Sequence, residues 1–453
     1  MARDMTVGSE SRHILTFALP IMGGLVLQQL YNTVDSVVVG QKLGEAALSA
    51  VGTCSALTMF VVSFATGLCN GAGVVLAQFF GAKRKEDLRS SLSTALTLLS
   101  ALSILISILG AVFARGVLGG LLDVPPEILP DAVAYFRIYC IGLWFQFIYN
   151  VVAAALRSVG DSQATLWFLL VASVMNILLD LLFVIVLPWG VAGTAIATVL
   201  CQGLCAVISV IYMWKRYDFY RFSKGQFVFD REKSGLILKL GVPTMLQMCI
   251  VSGGNVLIQR VVNGLGTAAI AAATAAGRIE NYLFIPCQGL NNGIGTFAGQ
   301  NMGAGNFDRV RSGRVKARRI LVPVAIALAA LLFLFAKPLI AIFGVEGEAL
   351  TLGIQHLHFI APFFVLFALY MSNAGVLTGS GDVMAATRIT LTCLALRVGC
   401  TYFFRYVCDL GFASLYYANP IGWAYGLIAS FFRFRSGKWQ TKGIVKRDVR
   451  EAE

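Results

Sequence analysis

The chain has 453 residues, 57% of them hydrophobic and 13% charged, whereas a soluble globular chain carries roughly a quarter charged residues. A water-soluble fold would therefore be short of polar surface, while at ~20 residues per crossing the same length accommodates twelve membrane spans. The net charge of +13 comes from 36 Lys and Arg against 23 Asp and Glu, but the basic residues fall in short clusters between apolar stretches, which argues against a nucleic-acid footprint and fits cytoplasmic loops.

In chain order, apolar runs near 14–40, 47–80, 91–114, 132–156, 163–187 and 191–214 are expected to form six transmembrane helices. The first run, from Ile14 to Val39, is far longer than the ~7–15 residues of a signal-peptide core and is expected to remain as a span. A charged stretch, Lys215 to Gly235, follows. Six more runs lie near 236–263, 268–300, 319–343, 352–378, 384–410 and 412–434. With the N-terminus placed in the cytoplasm, the tails and loops assigned inside hold 28 of the 36 Lys and Arg. This asymmetry puts both termini in the cytoplasm. The ten cysteines show no CxxC or zinc-type spacing and read as small helix-packing residues.

The two halves are related. Shifted by about 222 residues, the segment from Gly67 to Ser90 matches that from Gly289 to Ser312 with ten identities in 24 positions. LRSVGDSQA from Leu156 lies over LTGSGDVMA from Leu377, and Pro20 lies over Pro243. The expected fold is thus an all-α integral membrane protein of twelve transmembrane helices in two parallel six-helix repeats, an N-lobe of residues 1–225 and a C-lobe of residues 226–453, with a cavity between them. Pro20 and Pro243 lie inside apolar spans, where each removes a backbone hydrogen bond; a structural kink and a hinge are both open for Pro20. Asp161 and Asp382 occupy equivalent Gly-Asp turns and are expected to hold loop conformation.

Ionisable residues inside apolar spans are costly and mark function. Asp35 in the first span and Asp180 in the fifth stand out. Counted from the helix ends, Asp35, Asp180 and Thr198 lie ~7–11 Å below the outer surface at ~1.5 Å per residue, and Asn176 shares a helix face with Asp180. A carboxamide, a hydroxyl and two carboxylates are hard oxygen ligands suited to a proton or to sodium, and too sparse for a transition metal. The second half lacks this chemistry: Ile258 matches Asp35. There, Arg278 with Glu280 reads as a pairing or packing site, Arg260 and Arg397 read as structural, and His356 and His358 read as interfacial packing.

The duplicated plan, the opening ILTFALPIMGGLVLQQLYNTVDSVVVG, the AQFFGAKRKEDLRSS and GQNMGAGNFDRVRSG loops and the LRSVGD and LTGSGD turns together resemble the multidrug and toxic compound extrusion (MATE) transporters over nearly the whole chain. The first-span YN-x-x-D and the fifth-span Asn-x-x-x-Asp are similar to those of the DinF-like branch. The resemblance implies that Asp35, Asn176, Asp180 and Thr198 carry the coupling cation, a proton or sodium, with Gln28, Tyr31 and Asn150 in an adjoining network. It implies an antiporter in a prokaryotic plasma membrane that exports organic, often cationic, drugs by alternating access. No bound cofactor and no enzymatic activity are expected, lipids and substrate are the expected partners, and a monomer is the default. A lipid-linked glycan flippase and a channel or passive scaffold are the alternative readings; an embedded enzyme would need a metal or nucleophile constellation, and no His falls in the acidic pocket.

Overall fold

The structure is a computed structural model that describes residues 2–222 and 226–445, without the side chains of 32, 34–41, 44–46, 48, 56 and 121. Among the described residues the fold is helical throughout, with no strand. Its long helices are α1 (Glu10–Gly81), α2 (Lys85–Gly116), α3 (Leu129–Ser158), α4 (Ser162–Leu181), α5 (Gly190–Arg216) and α6 (Arg231–Asn263). They continue with α7 (Thr267–Gly303), α8 (Phe307–Ala341), α9 (Gly347–Ile360), α10 (Phe364–Gly379), α11 (Val383–Tyr406) and α12 (Ala413–Arg435).

The helices do not match the twelve expected runs one to one. The first two runs form the single 72-residue helix α1, which contains two stretches long and apolar enough to cross a membrane, Glu10–Tyr31 and Ser49–Gly81. The tenth run is divided into α9 and α10 by a short 3-10 turn, Ala361–Phe363. Pro362 explains that break: it has no N–H to donate and its ring collides with the preceding turn. Ten stretches among the described residues have the length and composition of membrane spans. α7 and α12 are long enough as well, but more polar.

By compactness the chain forms two units. One comprises Met1–Asp4 and Gly23–Met245, the other Met5–Met22 and Leu246–Glu453. Residues 5–22 and 226–245 are thus grouped differently from a cut after residue 225. Each change of unit falls inside a helix, two residues beyond Pro20 in α1 and two beyond Pro243 in α6.

In the first unit α3 packs on α2 and α5, and α4 on α5. The second stretch of α1 meets the start of α6 with no room for a side chain: a Cβ on Gly71 would sit 2.3 Å from Gly241 N. The second unit repeats this plan, with α7 packed on α8 and α10. A Cβ on Gly379 would sit 2.0 Å from Gly295 O. The apolar core of this unit runs from Met5, Ile14 and Phe17 through Phe297 to Phe364 and Trp439.

The two Gly-Asp turns are built alike. Gly160 and Gly381 have φ of +84° and +87°, a conformation that costs glycine little and other residues more. Asp161 then caps α4 by accepting from Ala164 N at 3.2 Å, and it accepts from the Tyr212 and Tyr217 hydroxyls at 3.0 and 2.6 Å. Burial and the neighbouring Asp161 carboxylate push the Tyr217 phenol well above its ordinary value. Asp382 instead receives Arg433 through Nε at 2.6 Å and Nη2 at 2.9 Å.

Candidate functional site

The centre of the candidate site is the contact between α4 and α5. These helices run antiparallel, and two close approaches fix their register: Cys205 Sγ lies 3.6 Å from Phe168 O, and a Cβ on Gly193 would lie 3.0 Å from Phe183 Cβ. That register puts Thr198 at a height between Asn176 and Asp180. Asn176 and Asp180 are 5% and 1% exposed, deep burial for an amide and a carboxylate that lie one turn apart on an apolar helix. Cys201 on α5 faces both, within hydrogen-bond reach of Asn176. Asn176 Oδ1 is buried and has no hydrogen-bond partner among the described residues. The Thr198 hydroxyl donates to Thr194 O at 3.0 Å, which leaves its lone pairs free to accept.

A second polar layer lies between α3 and α5. The Tyr139 hydroxyl donates to Gln146 Oε1 at 3.3 Å and is also reached by Gln202, with Tyr31 of α1 nearby. Asn150 Nδ2 donates back to its own helix, to Gln146 O at 2.9 Å. α5 comes close to α3 here because Gly142 has no side chain: a Cβ would sit 2.6 Å from Val199 Cγ2 and 3.0 Å from Gln202 Oε1. Gln202 Oε1 is a second buried amide oxygen without a partner among the described residues.

Buried acceptors without donors are expensive; a hard cation, a proton or a water molecule can satisfy them. The structure brings Asn176 and Asp180 together against Cys201, with Thr198 at the same height on α5, and places Tyr31 near Tyr139. Gln28 is exposed on α1. The Asp35 side chain lies outside the described residues. Sequence reasoning missed Tyr139, Gln146 and Gln202. Gln202 was within reach of it, since it follows Thr198 by four residues and so shares its helix face. Among the described residues no three His, Cys, Asp or Glu side chains gather into a metal-binding group, and all ten cysteines are free.

The second unit holds an ionisable cluster of a different kind. Glu280 of α7 pairs with His356 of α9, Oε1 to Nε2 at 2.6 Å, with the side chains 13% and 8% exposed. The expectation that His356 merely packs at the interface is therefore corrected. Glu280 turns inward to this pair, while Arg278, two residues away and so on a different helix face, is exposed.

The comparisons with known proteins agree with this architecture. The MatE family model matches residues 20–182 and 243–403, one block in each half. The chain is 31% identical to the probable multidrug resistance protein YpnP of Bacillus subtilis (strain 168), over 97% of this chain and 98% of that one. Among solved structures, the outward-facing conformation of a multidrug resistance MATE family transporter superposes with a TM-score of 0.90 at 25% identity, covering 97% of this chain and 99% of the other. A MATE crystal structure in the bent conformation gives the same TM-score and identity over 96% and 98%. The chain belongs to the MatE family and is a multi-pass membrane transporter, not an enzyme.

Proposed function

We propose that this transporter is a cation-coupled antiporter, taking up a proton or sodium at Asp180, Asn176 and Thr198, with Asp35, in exchange for an organic, cationic compound exported across a prokaryotic plasma membrane. The observation that carries this reading is the buried Asp180 carboxylate one turn from Asn176, whose buried Oδ1 accepts no hydrogen bond among the described residues. A carboxylate in that setting favours a bound cation, and an arriving substrate cation would compete for the same charge. Gln202 Oε1 adds a further acceptor. Both termini are placed in the cytoplasm on the Lys and Arg asymmetry, and the protein is taken to act as a monomer.

Alternation between outward-open and inward-open states supplies the transport step. We assign Pro20 the role of hinge: it is buried inside α1 and lacks the N–H that would stiffen the preceding turn.

The test is efflux of a fluorescent organic cation from loaded proteoliposomes under an imposed proton or sodium gradient, comparing wild type with Asp180→Asn and Asp35→Asn. Gradient-driven efflux that is lost in both variants supports antiport through this site, and the effective gradient names the ion. Wild-type efflux that ignores both gradients, or variants that behave as wild type, would overturn it and bring the flippase reading forward.

A further inference from the structure

The second unit gathers polar side chains from four helices. Asn255 lies eight residues before the end of α6, Glu280 thirteen after the start of α7, His356 nine after the start of α9, and Arg397 nine before the end of α11. In an up-and-down order these four helix ends belong to the same side. Arg397 lies in the field of Glu280, and its Nη1 donates to Asn255 Oδ1 at 3.4 Å. The Tyr416 and Phe412 rings stand 5.5 and 6.0 Å from the imidazole.

The charges in this cluster leave one group over. Arg397 and Glu280 form one cation and one anion, so the imidazole is not needed to neutralise either. His356 is 7% exposed; its Nε2 is engaged with Glu280, while its Nδ1 is buried with no hydrogen-bond partner among the described residues. A clamp serving only to join α7 to α9 would be made as well by apolar side chains, and it would not strand a ring nitrogen. Ionisable groups kept inside a membrane unit mark function, and imidazole is the side chain that ordinarily changes charge near neutral pH.

We propose that Glu280 and His356 hold an exchangeable proton in the second unit, at a site separate from the one around Asp180. The proton adds to His356 Nδ1 while Nε2–H keeps its bond to the Glu280 carboxylate; no covalent bond to a heavy atom forms or breaks. The cluster then carries one net positive charge. The groups facing His356 are Glu280 from α7 and Tyr416 from α12, with Arg397 of α11 behind Glu280. α8 meets α9 through Ile340 at Gly353 and Phe333 at His358, none of them charged. The inference does not depend on which ion the first unit takes.

The chain has three histidines, His13, His356 and His358, so nitrogen NMR of histidine-labelled, purified full-length protein can follow each ring, with His356→Asn assigning the signal. The expected result is that the His356 ring is seen to exchange between its neutral and charged forms as the pH is varied. The curve in Glu280→Gln should differ from that of the wild type. Asp180→Asn should leave the curve in place. A wild-type His356 signal that does not move with pH overturns the proposal, as does a curve unchanged in Glu280→Gln. A curve displaced by Asp180→Asn would assign the proton to the first unit instead.

Discussion

Arg433 grips Asp382 with both Nε and Nη2, while in the other repeat the same Gly-Asp turn is held by Tyr217 and Tyr212. The turn is repeated and the fastener is not. Each version ties the loop to the last helix of its own half, at or just beyond its end. A charged fastener loses more than a neutral one when it is cut, because the carboxylate left behind is 3% exposed for Asp382. Arg433→Gln should therefore destabilise the protein by about 2–3 kcal/mol, below the range for a fully buried pair because the Arg433 side chain is 26% exposed. Tyr217→Phe should cost about 1 kcal/mol, since Tyr212 remains. Thermal unfolding in detergent measures both, and the reverse order would count against this account.

The Tyr217 bond also has a definite pH sign. Its phenol is raised in the folded state, so the stability it contributes is fully present below the unfolded value of about 10 and is lost only as the pH rises through the folded one. The stability difference between wild type and Tyr217→Phe should stay constant from roughly pH 6 to 9. A difference that shrinks within that window would contradict the geometry.

Helix contact without side chains predicts a sharp response to a single methyl group. Gly71→Ala and Gly379→Ala place a carbon 2.3 Å from Gly241 N and 2.0 Å from Gly295 O, backbone atoms that cannot step aside, and each should cost about 3 kcal/mol or more. Gly399→Ala on α11 meets nothing within 4 Å and should be neutral or stabilising by up to about 1 kcal/mol. The yield of monodisperse protein at raised temperature separates the two classes.

At the candidate site, Asn176→Leu and Gln202→Leu each remove a buried amide oxygen. Both should weaken coupling-ion dependence, by about tenfold for Asn176 beside the carboxylate and less for Gln202, with the folded yield retained because the replacements fill the space. The measurement is the ion concentration giving half-maximal efflux. An unchanged value in Asn176→Leu would remove that residue from the ion site.

Pro20→Ala restores an N–H to a buried turn of α1. If bending at that point serves transport, efflux should fall several-fold while the melting temperature holds or rises. Pro243→Ala tests whether the second proline does the same. Normal efflux in Pro20→Ala would make it a static kink.

The duplication was legible because three matches fall in the same order at nearly the same offset, and the Asn176 and Asp180 pair because four residues make one helical turn. Other features depended on packing between helices. The break at Pro362 sits inside an unbroken apolar run, whose composition reads as one span. Glu280 and His356 are 76 residues apart and meet only once α7 lies against α9; from sequence alone the nearest charged neighbour of Glu280 was Arg278, which the helix turns away. The Tyr139, Gln146 and Gln202 layer needed the absent side chain of Gly142 to form.

The chain passes from one unit to the other at Met22–Gly23 and again at Met245–Leu246, inside helices. A gene cut at the charged linker after residue 225 would therefore yield two pieces, neither of which holds a whole unit. The first would lack residues 226–245 of its own body and carry 5–22 of the other. Such half-proteins should fold only when expressed together, each lending the other the opening turns of a helix. An ancestor of one repeat would have needed a second copy of itself for the same reason.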